Sequence, residues 1–238
     1  MRVAIHQPQY WPWPRYIHKV MSADLFVYLD TVQFNKNGVQ NRNQLKSPQG
    51  AAWLTLPVRH SFGQKLSETC ISDVNAPEKH AHTIAMNYAR TPGGRIWKDE
   101  IHELLLSQRS GSLAEIAIAT TEWMLTKLGV STRRIRASQL SLPQAERSQM
   151  VAGICSCVGA KTYLSGSGAI DYMKQSDFAS VQCEVWVQEW TPLRYEQAHK
   201  KTDFIDDLST LDLLLNQPDT ARQLIESAGG WKPLWTLV

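Results

Sequence analysis

The chain has little cysteine, no long apolar run and no block of charge of one sign. Its four cysteines, Cys70, Cys155, Cys157 and Cys183, lack the paired spacing of a zinc site and the density of a secreted disulfide scaffold, and read as reduced structural thiols. No window approaches the roughly eighteen consecutive apolar residues of a membrane-spanning helix. The opening Met1 to Ile5 is too soon interrupted by His6, Gln7 and Pro8 for a signal peptide. With 25 Lys+Arg against 22 Asp+Glu the net charge is +3, and no polybasic arm marks a nucleic-acid or membrane partner. There is no P-loop, no G-x-G-x-x-G, no G-x-S-x-G elbow, no internal repeat and no low-complexity stretch. The expectation is a cytoplasmic protein of bacterial type whose partner is a small molecule. Its 238 residues suit one α/β domain, 1–238, with about 77–130 as a candidate helical subdomain.

What is present begins with "AIHQPQYWPWPRYIHKVMSADLFVYLD". Val3 to Ile5 reads as a strand that ends at His6, and the prolines at 8, 12 and 14 hold a stiff loop. Tyr16, Ile17, Val20 and Met21 recur at helical spacing, and Leu25 to Leu29 is an apolar run suited to a strand covered on both faces. Strand, helix and strand in thirty residues describe a βαβ unit and hence a parallel sheet. Asn37-Gly38 and Ser47-Pro48 are turn signals around a polar middle that reads as a pocket lining or a loop over a pocket, and Ala52 to Val58 reads as a strand. Helices are expected over 77–88, 95–106, 113–128 and 145–158, with a short strand at 134–137. Thr162 to Leu164 reads as a strand, Ser165 to Gly168 as a loop, and Ala169 to Met173 as a helix. Val181 to Trp190 reads as a strand, one or two helices follow, and a tail carries Gly229-Gly230. The fold expected is an α/β, Rossmann-like, mostly parallel sheet flanked by helices, with a helical insertion or C-terminal helical part.

Ligands of open parallel sheets bind beyond the strands' carboxyl ends. Three clusters are expected there: His6, Gln7, Tyr10 and Trp13 after the first strand; Asp30, Gln33 and Lys36 after the second; Ser165, Gly166, Ser167 and Gly168 with Asp171 and Tyr172 after a later one. His6 can serve as acid or base or as a donor to a phosphate, Asp30 can orient an amine, and the serine-glycine turn can offer N–H groups to an anion. Lys36, Arg42 and Lys46, with Asn41 and Asn43, form a polar stretch able to clamp an anion. His80 and His82 flank Ala81 on a predicted helix and point apart, and His60, His102 and His199 have no partner at diagnostic spacing, so no metal is assigned. The cofactor stays open, with ATP or another nucleotide as a candidate.

The stretch from Ile5 to Val58 resembles the opening of the WbqC-like proteins: HQPxYxPWxGYxxK, then AD-x-FVxLDxVQF, then QNRN-x-(I/L)K-x-PxGxxWLT-x-PV. "YLSGSGAIDYM" is similar to the family's YLSG-x-G-x-x-x-Y turn, and "LSTLDLLLN" to its LS-x-(I/L)DLL-x-N helix. Arg15 and Ala169 stand where glycines are usual. The resemblance implies a biosynthetic transferase, with aminoacyl or acyl transfer onto an amino sugar or natural-product precursor as one form. By fold analogy a nucleotidylyltransferase-like, nucleotide-dependent activating enzyme is the rival, although Tyr10 occupies the place of that group's second histidine. A non-catalytic scaffold, using the tryptophan-rich surface, is a third reading.

Overall fold

A computed structural model describes residues 1–36, 38–108, 111–142, 145 and 147–235. The chain runs β1 (Arg2–His6), α1 (Pro14–Ser22), β2 (Leu25–Tyr28), β3 (Arg42–Ser47), β4 (Gly50–Thr55), β5 (Val58–Arg59), β6 (Cys70–Ile71), α2 (Ala76–Tyr88), α3 (Pro92–Ser107) and α4 (Leu113–Lys127). It continues with β7 (Arg133–Arg136), α5 (Arg147–Cys157), β8 (Thr162–Ser165), α6 (Gln175–Ser180), β9 (Glu184–Trp190), α7 (Thr210–Asn216), α8 (Ala221–Ala228) and β10 (Gly229–Pro233). The central sheet has the order β10-β9-β8-β1-β2-β7. All its pairings are parallel except β10 with β9. It is the expected Rossmann-like α/β arrangement.

Period-2 alternation divides each strand between two apolar layers. Ala4, Phe26, Tyr28 and Leu164 join the layer made with α1, α2, α3, α4, α7 and α8. Val3, Ile5, Leu25, Val27, Tyr163 and Val185 join the one made with α5 and α6. Chain order reverses beside β1, with β2 on one flank and β8, which arrives more than a hundred residues later, on the other. In open sheets of this kind ligands bind at such a switch point, beyond the strands' carboxyl ends.

Several elements differ from expectation. The polar segment from Arg42 is not a loop: it forms the hairpin β3–β4, in register from Arg42 opposite Thr55 to Ser47 opposite Gly50. Its polar side chains are tolerated because Asn43 and Lys46 find partners inside the protein. The strand expected over 52–58 is split, since Pro57 cannot donate to a ladder. Ser167–Tyr172 is a 3-10 turn and not an α-helix from Ala169; six residues that include a glycine and an aspartate favour the tighter i to i+3 bonds, such as Met173 N–H to the Ile170 carbonyl at 3.3 Å. The tail carrying Gly229-Gly230 is an antiparallel edge strand. The helix expected from Ala145 starts at Arg147. Asn37, of the expected Asn-Gly turn, and Glu146 lie outside the described residues.

Candidate functional site

The loop after β1 is rigid for identifiable reasons. Trp11 sits in the left-handed region at φ 47°, fully buried, with its N–H on Thr120 Oγ1 at 3.3 Å and its carbonyl accepting from Asn43 Nδ2 at 2.6 Å. A non-glycine residue holds such a conformation only where its surroundings enforce it. Tyr10 is also fully buried, and its phenol meets His80 Nδ1 at 2.9 Å. Gln7 Oε1 accepts from Gln40 Nε2 at 2.8 Å, and Gln40 Oε1 accepts from the Asn35 N–H at 2.7 Å, which ties the loop to the segment beyond β2.

His6 ends β1 on the α1 face of the sheet. Its ring packs edge-on against Tyr16, 4.9 Å between centroids, and its Nδ1 lies 3.0 Å from the Gln7 carbonyl. The β1–β8 register, with Ala4 opposite Leu164, brings His6 beside Gly166 when continued two residues. Lys19 of α1 lies close to both: its charge acts on His6, and a Cβ built on Gly166 would lie 3.3 Å from Lys19 Nζ. The missing side chain at Gly166 makes room for this amine.

Lys19 is 3% exposed. Burial, with Arg15 nearby, lowers its pKa to about 7. Burial, then Lys19 and Arg15, hold His6 down at about 3, against a raising contribution from the Gln7 carbonyl. Among the described residues no carboxylate pairs with Lys19. Glu122, whose charge acts on Tyr16, accepts from Tyr28 Oη at 2.7 Å and from Arg134 Nε at 2.8 Å. Tyr16 Oη is buried without a hydrogen-bond partner among the described residues, and burial, then Glu122, raise its pKa well above the ordinary value. An amine that is half neutral near pH 7 can take up a proton, and desolvated cationic groups without an acid favour an arriving anion, whose charge raises their pKa values.

The other expected site residues lie as follows. Asp30 is buried, and its two oxygens accept from the Ser138 N–H at 2.9 Å and Ser138 Oγ at 2.6 Å, which joins the ends of β2 and β7. Gln33 is exposed and bridges to Lys65; Lys36 is exposed. Asn41 Nδ2 donates to the Leu56 carbonyl at 2.8 Å. Arg42 lies over the Trp53 ring at 4.6 Å. Lys46 Nζ donates to the Thr202 carbonyl at 3.2 Å. The Lys46 N–H donates to Tyr88 Oη, which donates to Asp212. Trp13 precedes α1 and carries Arg15 over its ring at 4.4 Å. Ser165 is buried and bonds the Gly166 carbonyl at 3.1 Å, while Ser167, Gly168, Asp171 and Tyr172 are exposed on the turn.

The cleft by Trp13, Arg15, Trp190 and Tyr195 has a cavity volume of about 20 Å³, room for little more than a water. A larger concavity, about 450 Å³ between Arg90, Glu196, Lys200 and Asn216, shares no residue with the His6 cluster. Chemistry and volume therefore disagree, and the desolvated amine beside an imidazole is the more specific indicator. Sequence reasoning missed Lys19 and Tyr16 as site residues. A signal was available, because Lys19 follows Tyr16 by three on a helix and so shares its inward side.

The fold is that of an α/β protein with a mostly parallel sheet, and the buried Lys19 rests against Gly166 just after β8, the neighbour of β1. Residues 7–224 match the model of the WbqC-like protein family, and the chain belongs to that family. It is 28% identical over 218 residues to the uncharacterized protein Rv1507c of Mycobacterium tuberculosis, a similarity covering 90% of this chain and 93% of that one. No solved structure matches. Among the described residues no helix is long and apolar enough to cross a membrane.

Proposed function

We propose that the chain is a biosynthetic transferase that moves a small acyl or aminoacyl group from an anionic donor to an amine, such as that of an amino sugar or natural-product precursor. The observation that carries this reading is the Lys19 amine, desolvated and without an acid partner among the described residues, close to His6 and Gly166. Lys19 and Arg15 attract the donor's anionic end. In the transfer, the acceptor nitrogen forms its bond to the acyl carbon, the bond to the leaving group breaks and that group departs as the anion held by Lys19 and Arg15, and the ammonium proton passes to His6, whose proton affinity the bound anion raises. The serine-glycine turn from Ser165 lines the approach. The class of reaction is what the family resemblance implies, and the nearness of Lys19 to Gly166 supports its place in the fold.

Two rivals have less support. A nucleotide-activating enzyme shares the switch-point location, yet Tyr10, where that group keeps its second histidine, is buried on His80. A scaffold built on tryptophans finds, among the described residues, only Trp53, 49% exposed, in the set of exposed large apolar side chains. The test is mass spectrometry of bacterial metabolite extracts incubated with the chain, with and without ATP and magnesium. Parent protein should deplete one metabolite and produce its acyl or aminoacyl adduct, and His6→Ala and Lys19→Met should not. Equal turnover by both variants removes this site from the reaction; depletion that requires ATP without adduct formation favours the activating enzyme.

A further inference from the structure

Outside the His6 cluster, the α2–α3 hairpin gathers three groups that ligate metals. Glu78 and His82 are four residues apart on α2 and so leave the same face one turn apart. His102 of α3 meets them there, its ring 5.6 Å from that of His82 at 58°. One ligand atom from each of the three lies within 4.8 Å of the others. The neighbouring Lys79 is held by Asp73 at 2.9 Å.

From this convergence we infer that Glu78, His82 and His102 bind one divalent transition cation of the zinc class, with water in the fourth position. Two imidazoles and a carboxylate are a donor set that suits zinc, and also cobalt or nickel, over magnesium or calcium. Ligand atoms around tetrahedral zinc, with bonds of about 2.0–2.1 Å, stand roughly 3.4 Å apart. For tetrahedral coordination the three side chains must draw together by a rotamer adjustment; His82 is exposed, and Glu78 and His102 are half-buried. The pairing was hidden in the sequence because the third ligand comes from another helix. On the opposite face of α2, His80 holds the Tyr10 phenol, so a cation that ties α2 to α3 braces the helix supporting the loop after β1.

The experiment uses the untagged full chain, stripped with chelator and titrated with Zn(II) by calorimetry and with Co(II) by visible absorbance. One cation per chain, tetrahedral cobalt bands and a raised melting temperature are expected. His82→Ala, His102→Ala and the size-conserving Glu78→Gln should each weaken binding by at least roughly tenfold, whereas Cys70→Ser, which removes an exposed thiol, should leave it unchanged. Circular dichroism of the metal-free variants confirms that they fold. No saturable binding by the parent, or affinity retained in all three ligand variants, overturns the site.

Discussion

Lys19 Nζ occupies the space that a side chain at Gly166 would need, 3.3 Å from the position of its Cβ. An amine from the first helix thereby rests on the turn that follows β8, although no local pattern links the two.

Lys19→Met gives the most direct reading of that contact. Between about 7, where the folded chain releases the Lys19 proton, and the ordinary 10.5, where the unfolded chain does, the unfolded state holds more protons, so this group makes stability rise with pH. The slope is at most about 1.4 kcal/mol per pH unit. In the methionine variant that rise is absent, and the variant exceeds the parent in stability at pH 7. Urea melts of both chains at pH 7, 8 and 9 measure the difference; parallel curves would mean that the amine is solvated.

His6 supplies the acid counterpart. With its pKa held at about 3 instead of 6.5, the unfolded chain binds a proton in that window that the folded chain refuses, so stability falls as pH drops below 6.5. His6→Gln should lose this part of the acid sensitivity. In NMR titrations the ring should stay neutral from roughly pH 5 to 8, where a free histidine would titrate. Inorganic phosphate should move its midpoint upward, and an ordinary midpoint without phosphate contradicts the desolvated site.

A second buried network anchors α7. Asp212 accepts from Tyr88, from Tyr195 Oη at 2.7 Å and from Asn216 Nδ2 at 3.2 Å, while Tyr88 Oη also receives the Lys46 N–H at 3.0 Å. Tyr88→Phe removes one of the donors to Asp212, which keeps Tyr195 and Asn216, and takes the phenol from the Lys46 N–H, so a loss of about 1–3 kcal/mol in all is expected from denaturant midpoints. A change below 0.5 kcal/mol, the usual size of a surface substitution, would show that water replaces the phenol.

Gly229 opens β10 against His18. A Cβ there would approach the His18 ring to 2.2 Å, and that ring is stacked on Trp231 at 17° and bonded to Gln188 at 2.8 Å. Gly229→Ala should cost roughly 1–3 kcal/mol by overpacking and loosen the edge strand. Hydrogen exchange at Gln188 and Trp231 reports it, and unchanged protection would mean that His18 swings aside freely.

Much of the scaffold was legible in the residues alone. The apolar run at Leu25, the helical spacing after Tyr16 and the β-branched start ending at His6 are local patterns, and each states which face is buried without reference to distant residues. The polar strand Arg42–Ser47 and the edge strand Gly229–Pro233 were not legible, because their pairing partners, and not their own apolar content, make them strands. In the site, His6 and Ser165 to Gly168 could be read as strand ends. The condition of Lys19 could not, since a pKa near 7 depends on how much water the β1, β8 and α1 surfaces exclude together. Periodicity is written into neighbouring residues; desolvation and the meeting of Glu78 with His102 exist only once separate elements have packed.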